Sequence, residues 1–412
     1  MSFRRFTLSI LQILILSLPN YSQSLDSIEI SQDTIISETL PWSQRMVETI
    51  MDDYPKLIDM DGAQGGLKWV YPNGLVALAF QKLYQATNNE KYYQYVKEFA
   101  DEIIDSNGII AHYNITEYNI DNINSGKILF LLYEKEKDER YKIAADSQRK
   151  QLEGHPRTPS NGFWHKQIYP DQMWLDGLYM GAPFYAQYIK EFGDPKEFDD
   201  VIHQFTLLES KARDPKTGLL YHAWDESKKQ QWCDPNTGLA SQFWGRGLGW
   251  YAMALTDILD FIPEDHPQRD SIIAIINRLA IAVEKVQDEE TGTWWQVLNY
   301  PNREGNYLEG SATAMFTYFY FKAIKNGYID KEIYMPIAEK AYNGMIKHLI
   351  KIKPDGKIII TPVCAGAGLG GDPYRDGTYE YYINERKRDN DPKATGPFIM
   401  ASIMYEEMKK SN

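Results

Sequence analysis

The sequence lacks several features that would place it in common protein classes. Only two of its 412 residues are cysteines, Cys233 and Cys364. They permit at most one disulfide, so the fold must depend on a hydrophobic core, and we expect both thiols to be free. The formal net charge of −13 argues against nucleic acid or an anionic membrane surface as a partner.

Metal and nucleotide motifs are missing as well. No H-x-x-H, H-E-x-x-H or C-x-x-C spacing occurs, so we expect no catalytic metal. The glycine-rich stretch 366–371 lacks the G-x-G-x-x-G order and a Walker lysine, and we interpret it as a flexible loop. We therefore expect no cofactor.

Long hydrophobic runs are also scarce, apart from one at the N-terminus. Arg4 and Arg5 precede the apolar run 7–18, and small residues occur after it at Ser22 and Ser24. This pattern is typical of a secretory signal peptide, whereas a permanent membrane anchor needs about 20 apolar residues. We predict a cleaved signal peptide at 1–24, an N-terminal extension at 25–38 and a periplasmic or secreted protein; the alternative is an uncleaved anchor.

What the chain does contain is internal repetition. Six short segments begin with glycine and continue into aromatic or β-branched residues, as expected of short hairpins. They are 66–69, 108–112, 162–165, 218–222, 292–295 and 356–360.

Between these segments, apolar residues recur at the spacing of amphipathic helices. The pattern predicts twelve helices, at 42–54, 75–84, 93–104, 128–135, 141–151, 178–190, 198–210, 248–261, 271–286, 312–324, 334–349 and 396–408. Six hairpins and six helix pairs predict an all-α fold, an (α/α)6 barrel formed by residues 39–412 as one domain. An open α-solenoid has the same periodicity, but six units with cleft-like hairpins favour a closed ring.

The stretch 161–184 has the highest density of chemically active side chains. It combines several aromatic residues with His165, Lys166 and Asp176, a mixture that fits a sugar-binding cleft with acid/base chemistry. Asp121 and Asp176 occupy equivalent places in successive repeats, so the ring brings them near each other, where one carboxylate can stay ionised and raise the pKa of the other. The alternatives are a packing seam between helices and two ordinary helix N-caps.

A second cluster surrounds Arg246, which lies between Trp244 and Trp250 in a glycine-flanked loop. A guanidinium can hold a carboxylate through two parallel hydrogen bonds, and glycines let the backbone approach a ligand. His222 and His165 match in repeat position, which favours a role at the rim. The structural alternatives are an arginine stacked on tryptophan and two histidines satisfied in the core.

Taken together, these motifs resemble the unsaturated rhamnogalacturonyl hydrolases of glycoside hydrolase family 105, relatives of the unsaturated glucuronyl hydrolases of family 88. The resemblance covers nearly the whole chain after the signal peptide, in order, and implies an (α/α)6 barrel. Its elements are D-N-I-N-S-G-K at 121–127, F-W-H-K at 163–166, Q-M-W-L-D-G-L-Y-M-G-A-P-F at 172–184, Y-H-A-W-D-E-S at 221–227, F-W-G-R-G-L-G-W-Y-A-M at 243–253, S-A-T-A-M-F at 311–316, C-A-G-A-G-L-G at 364–370, R-D-G-T-Y-E-Y-Y at 375–382 and N-D-P-K-A-T-G-P-F at 390–398.

The resemblance implies a reaction on acidic oligosaccharides left by polysaccharide lyases, whose non-reducing end is a 4,5-unsaturated uronic acid. Asp176 matches the residue that protonates the double bond and then activates water, and Asp121 matches the second acid. The substrate-contacting positions of the family fall on His222, Arg246, Trp244 and Trp250, with His165 and Lys166 as further candidates. From charge alone, Arg246 or Lys166 is expected to hold the sugar carboxylate.

The sequence leaves the substrate and the reaction open. The sugar after the unsaturated uronate is rhamnose in a pectin-derived fragment, and sequences resembling this family also act on fragments of ulvan, a sulfated algal polymer. A conventional (α/α)6 glycosidase for saturated sugars and a non-catalytic periplasmic carbohydrate-binding barrel remain alternatives.

Overall fold

A computed structural model describes residues 35–61 and 68–410 of the chain. The predicted signal peptide and part of the first glycine segment lie outside the described residues. From residue 35 onward the chain forms one compact unit. In the described ranges there are thirteen α-helices: α1 Trp42–Asp53, α2 Tyr71–Thr87, α3 Glu90–Ile103, α4 Leu129–Glu136, α5 Glu139–Gly154, α6 Leu175–Phe192, α7 Phe198–Ala212, α8 Gly245–Ile258, α9 Arg269–Glu284, α10 Gly310–Lys325, α11 Lys331–His348, α12 Tyr379–Asn384 and α13 Pro392–Lys410.

Alternate helices form a closed inner ring. The 3-10 helix Ile120–Ile128, which continues into α4, contacts both α2 and α6; further round, α6 contacts α8, α8 contacts α10, α10 contacts α13, and α13 returns to α2. Each inner helix carries an outer one, and α1 packs outside α13, so the N-terminal helix completes the last pair. The (α/α)6 barrel and its twelve predicted helices are confirmed, and the open solenoid is wrong because the two ends of the ring meet.

Side-chain caps set where many of these helices begin. The side chains of Asn89, Asp138 and Asp330 accept hydrogen bonds from main-chain N–H groups two residues further on, at 3.2, 3.0 and 2.8 Å. Each cap satisfies a donor that has no partner inside the helix, and its charge or dipole suits the positive helix end. These residues therefore mark in the sequence where a connection ends and a helix starts.

The rim segments hold only short stretches of sheet. Strand β1, Gln172–Trp174, pairs antiparallel with β2, Ala223–Asp225, and β3, Ile350–Ile352, pairs with β4, Ile358–Ile360. The first pair joins two successive repeats, with Trp174 opposite Ala223. This pairing fixes the connection that follows the third glycine segment against the one that follows the fourth. The expected hairpins are also present, as single antiparallel bridges around the second, third and fourth glycine segments and as the β3–β4 pair at the sixth.

The hydrophobic core fills the space inside and between the two rings of helices. Both cysteines are buried free thiols, as predicted. Within the described part of the chain, no helix combines the length and the apolar character that crossing a membrane requires.

Close packing of the inner ring depends on small residues where helices cross. At Gly74 in α2, an added Cβ would overlap the Cα and Oγ of Ser125 and come within 2.7 Å of its Cβ. The Ser125 hydroxyl donates a hydrogen bond to the Val70 carbonyl at 2.9 Å. A larger side chain at Gly74 would push the main chain of Ser125 away. The first two inner helices would then separate, and the rim segment that precedes Ser125 would be disturbed.

We therefore expect Gly74→Ala to destabilise the protein. The overlap should cost about 1–3 kcal/mol, which exceeds the gain of up to about 1 kcal/mol that alanine has over glycine in a helix. Thermal unfolding checks this, with Gly366→Ala as the control because no atom lies within 4 Å of a Cβ built there. Equal melting temperatures for the two variants would contradict the packing argument.

Candidate active site

The inner helices all begin at the same end of the barrel, directly after the rim segments. The second residue of each inner helix therefore lies at this end of the barrel, which we call the mouth, and together these residues form a ring around it. Going round, this ring includes Asp121, Asp176, Arg246, Ser311 and Lys393. The equivalence of Asp121 and Asp176 expected from the repeats is thus present in the structure.

Neither aspartate is a helix N-cap. Asn119 caps the 3-10 helix by accepting a hydrogen bond from the Asp121 N–H at 3.1 Å. Helix α6 has Trp174 at the cap position and no side-chain cap. The N-cap alternative for both aspartates is wrong, so their carboxylates are available for other contacts.

Asp176 ends a hydrogen-bonded chain of three side chains. Its Oδ2 lies 3.1 Å from His222 Nε2, and His222 Nδ1 lies 2.6 Å from the Tyr382 hydroxyl. His222 is fully buried, whereas the Asp176 side chain is 13% exposed, so the carboxyl is the accessible end. Burial raises the pKa of Tyr382 well above its ordinary value, and its hydroxyl stays protonated.

This chain accommodates Asp176 in either protonation state. A neutral imidazole has one N–H, so Nε2 of His222 donates to a carboxylate or accepts from a carboxylic acid. The Tyr382 hydroxyl takes the complementary role at Nδ1. A carboxyl that must give up a proton and later recover one needs this kind of support.

Asp121 has a different environment, dominated by a cation. Its Oδ2 lies 2.7 Å from Lys166 Nζ, and its Oδ1 lies 3.4 Å from His165 Nε2. Burial disfavours the charged carboxylate, but the Lys166 ammonium outweighs burial and lowers the pKa of Asp121. Burial also lowers the pKa of His165 to about 4, so the imidazole is neutral and Asp121 is held ionised.

A stack of aromatic rings leads from this pair toward the rim. The His165 ring lies 4.4 Å from the Trp174 ring, nearly parallel to it, and the Tyr169 ring lies 4.9 Å from Trp174 on the stack. Tyr169 is half-buried. Trp174 and His165 are each 4% exposed, so only Tyr169 offers a flat apolar ring on which a sugar could pack.

Arg246 is buried and occupied by protein groups. It donates to the carbonyl oxygen of Cys364, and its Nη2 lies 3.8 Å from Glu309 Oε1. The residue is 1% exposed, although its Nε and Nη1 have no hydrogen-bond partner in the described structure. Its predicted role at the sugar carboxylate stays a prediction.

The two tryptophans beside Arg246 are also buried. Trp244 packs 4.7 Å from the His222 ring and donates to Gln296 at 3.2 Å. Trp250 stacks on Tyr179 at 4.8 Å, deeper in the barrel. Each is 1% exposed, so in this conformation they support the site, and sugar contact at either stays a prediction.

The structure thus gathers the predicted residues into two adjoining groups. One contains Asp121, His165 and Lys166, and the other contains Asp176, His222 and Trp244. Sequence reasoning missed Tyr382, which is 160 residues from His222, and Lys393, a buried lysine whose Nζ lies 2.7 Å from Asp391. Both residues lie in motifs that carry the family resemblance, at 375–382 and 390–398, and the position of Lys393 at the start of the last inner helix was a second signal.

Comparison with known proteins tests the family resemblance. The family model described as Glycosyl Hydrolase Family 88 matches residues 42–409. A solved family 105 glycoside hydrolase from C. acetobutylicum is 44% identical; the alignment covers 89% of this chain and 100% of that one, with a TM-score of 0.86.

Two curated relatives carry names that state an activity. The chain is 28% identical to the unsaturated rhamnogalacturonyl hydrolase YesR of Bacillus subtilis, over 60% of this chain and 68% of that protein. It is 25% identical to an unsaturated 3S-rhamnoglycuronyl hydrolase of Alteromonas sp., over 51% of this chain and 48% of that protein. The family recognised from the motifs is confirmed: the chain belongs to glycosyl hydrolase family 88, with a family 105 enzyme among its similar structures, and is a glycoside hydrolase of the group that acts on unsaturated sugars.

Proposed function

We propose that the protein removes the 4,5-unsaturated uronic acid from the non-reducing end of oligosaccharides produced by polysaccharide lyases. The observation that carries the proposal is the pair of unlike carboxyl groups at one mouth. Asp121 is held ionised by Lys166, while Asp176 contacts a histidine that accommodates both of its protonation states. Two carboxyls in different environments divide the work of acid catalysis.

In the proposed reaction the Asp176 carboxyl gives its proton to C4 of the unsaturated ring. The double-bond electrons form the new C4–H bond, and the positive charge that develops at C5 is shared with the ring oxygen. The Asp176 carboxylate then takes a proton from water, whose oxygen bonds to C5. The resulting hemiketal opens to a ketone at C5, and the hemiacetal left at C1 releases the neighbouring sugar.

Asp121 supplies a fixed negative charge beside this reaction. A nearby carboxylate favours the protonated form of the acid and stabilises positive charge that develops in the ring. Tyr169, the half-buried ring at the outer end of the Trp174 stack, would give the sugar an apolar surface. These roles need no group beyond the side chains at the mouth.

An acidic substrate fits the electrostatics of the mouth despite the protein's net charge. Six inner helices start there, and helix N-termini carry partial positive charge. For the sugar after the uronate we propose rhamnose, in a rhamnogalacturonan-type or an ulvan-type fragment. The similarity to YesR and to the rhamnoglycuronyl hydrolase supports this choice.

We also propose that the enzyme acts after export, in the periplasm or outside the cell. The charged start, the short apolar run and the small residues near Ser24 support this location. N-terminal sequencing of the protein recovered from its native cells should begin at Leu25. A chain that still begins at Met1 would show that the segment is retained.

The central test replaces Asp176 with asparagine. With wild-type protein, the ultraviolet absorbance of the double bond in lyase digests of several uronate polymers should disappear. Asp176→Asn should remain folded and lose about 10²–10⁴-fold in kcat, because the amide has no proton to give. The exposed Asp270→Asn is the matched control and should behave as wild type.

Other outcomes of this test separate the competing functions. Retained activity in Asp176→Asn would disprove the catalytic assignment. Cleavage of saturated oligosaccharides by the wild type would indicate a conventional glycosidase. Binding that leaves the mass spectrum of the digest unchanged would indicate a carbohydrate-binding barrel.

The Asp121–Lys166 pair predicts a change in pH dependence. In Lys166→Met the ammonium is gone while the burial of Asp121 remains, so the pKa of Asp121 rises and the residue ionises only at higher pH. The acidic limb of the pH profile of kcat/KM should therefore move to higher pH by roughly 1–3 units. Lys166→Arg keeps the charge and should keep the wild-type limb; an unshifted limb in Lys166→Met would show that ionised Asp121 is not required.

A further inference from the structure

The cations expected to hold the sugar carboxylate already have protein partners. Lys166 is paired with Asp121. Arg246 is bonded to the Cys364 carbonyl through Nη2, and although its Nε and Nη1 have no protein partner in the described structure, the residue is only 1% exposed. A substrate that carries a carboxylate still needs a cationic partner, because desolvating an unpaired charge is costly. Arg375, in the glycine-rich rim segment before α12, offers one.

The guanidinium of Arg375 is held in a fixed orientation. Its Nε donates to the Gly370 carbonyl at 2.8 Å, and its Nη2 donates to the Leu369 carbonyl at 3.1 Å and to the Tyr169 hydroxyl at 2.8 Å. The loop wraps it closely: a Cβ at Gly368 would overlap Nη1, and one at Gly371 would lie 3.2 Å from Nη2. The stretch 366–371, which was interpreted from the sequence as a flexible loop, therefore holds the side chain of one arginine in a defined position.

One nitrogen of the Arg375 guanidinium, Nη1, forms no hydrogen bond with this loop. Three of the five N–H groups of Arg375 are bonded to protein, and both N–H groups of Nη1 remain without a protein acceptor in the described part of the chain. No carboxylate in the described ranges forms an ion pair with it, and the residue is half-buried. The three hydrogen bonds that Arg375 already makes are sufficient for a structural role, so such a role does not account for the free Nη1.

Two contact paths connect this guanidinium to both acids. On one side Tyr169, which accepts its hydrogen bond, stacks on Trp174, and Trp174 stacks on His165 next to Asp121. On the other side, the Gly368 N–H donates to the Tyr381 hydroxyl at 3.0 Å, and the Tyr381 ring lies 5.1 Å from that of Tyr382.

Tyr382 in turn contacts His222 and, through it, Asp176. Arg375 is therefore connected through side-chain contacts to both halves of the site. Because Arg375 is bonded to the half-buried Tyr169, a sugar packed on the Tyr169 ring would be next to the guanidinium.

We propose that Arg375 is an anion-binding, specificity-determining residue that holds a carboxylate or sulfate group of the substrate through Nη1. The proposal rests on the proposed function, since it concerns the same mouth. The anion has two possible sources with the same chemistry: the carboxylate of the unsaturated uronate itself, or a sulfate or carboxylate on the next sugar. Arginine suits either because its planar fork matches both groups.

The kinetic experiment compares Arg375→Gln and Arg375→Lys with wild type. Arg375→Gln should raise KM about 10–100-fold with a smaller change in kcat, as expected when a charge-assisted hydrogen bond is lost. Arg375→Lys should fall between the two. Arg278→Gln is the matched control: Arg278 is an outer-helix arginine that pairs with Glu209 at 2.9 Å, and its substitution should leave KM unchanged.

The choice of substrate identifies the source of the anion. Each enzyme is assayed on a sulfated unsaturated oligosaccharide and on its desulfated form. An equal rise in KM on both assigns Arg375 to the uronate carboxylate, and a rise on the sulfated form alone assigns it to the next sugar. Unchanged KM on both overturns the proposal.

Salt dependence separates charge recognition from a structural role. If Arg375 attracts the substrate by charge, the wild-type KM rises with ionic strength and Arg375→Gln shows a flatter dependence. A loop that has only lost its support would lower the melting temperature and kcat but leave the salt dependence as in wild type. That result would reduce Arg375 to a structural residue.

A binding measurement keeps this proposal separate from the proposed reaction. Saturated oligogalacturonide is anionic but has no double bond to hydrate, so calorimetric titration reports binding without turnover. Wild type should bind it about ten-fold or more tightly than Arg375→Gln. Weaker binding by the variant supports the anion site even if the enzyme does not turn over lyase digests. Equal binding by the two proteins, or binding by neither, overturns the anion site even if the enzyme does turn over lyase digests.

Discussion

The structure depends on one constraint: every inner helix starts at the same end of a closed ring. The contact of the last inner helix with the first closes the ring, and it thereby fixes the orientation of all six. Side chains at the second helical position, such as Asp121 and Asp176, are then presented to a common mouth. A repeat that builds the fold therefore also gathers residues that are far apart in sequence.

The same constraint sets the electrostatics of the two acids. Each aspartate lies in the first turn of its helix and is met by a histidine from the next rim segment, His165 for Asp121 and His222 for Asp176. The geometry repeats, but Lys166 accompanies only the first pair. The added ammonium lowers the pKa of Asp121, so two equivalent positions carry carboxyl groups in different environments, as the proposed reaction requires.

Features that arise from periodicity were predictable from the sequence, and contacts between distant repeats were not. Helical spacing and the recurring glycine segments were sufficient for the barrel, and equivalent repeat positions brought Asp121 and Asp176 together. The burial of Arg246 was not predictable, because it depends on Glu309 and the Cys364 carbonyl from other repeats. Tyr382 was missed for the same reason: no local spacing links it to His222.

Burial also determines which cation of the mouth is left for a ligand. Arg246 and Lys393 lie in the inner ring, where removing charge from water is costly, and both have acceptors from the protein. Arg375 lies further out and is half-buried, so water can solvate its unused N–H groups until a ligand replaces that water. The unpartnered Nε and Nη1 of Arg246 are buried in the ring, whereas the unpartnered Nη1 of Arg375 is at the half-buried rim. This difference in accessibility is why the proposed recognition of an anionic sugar is assigned to Arg375.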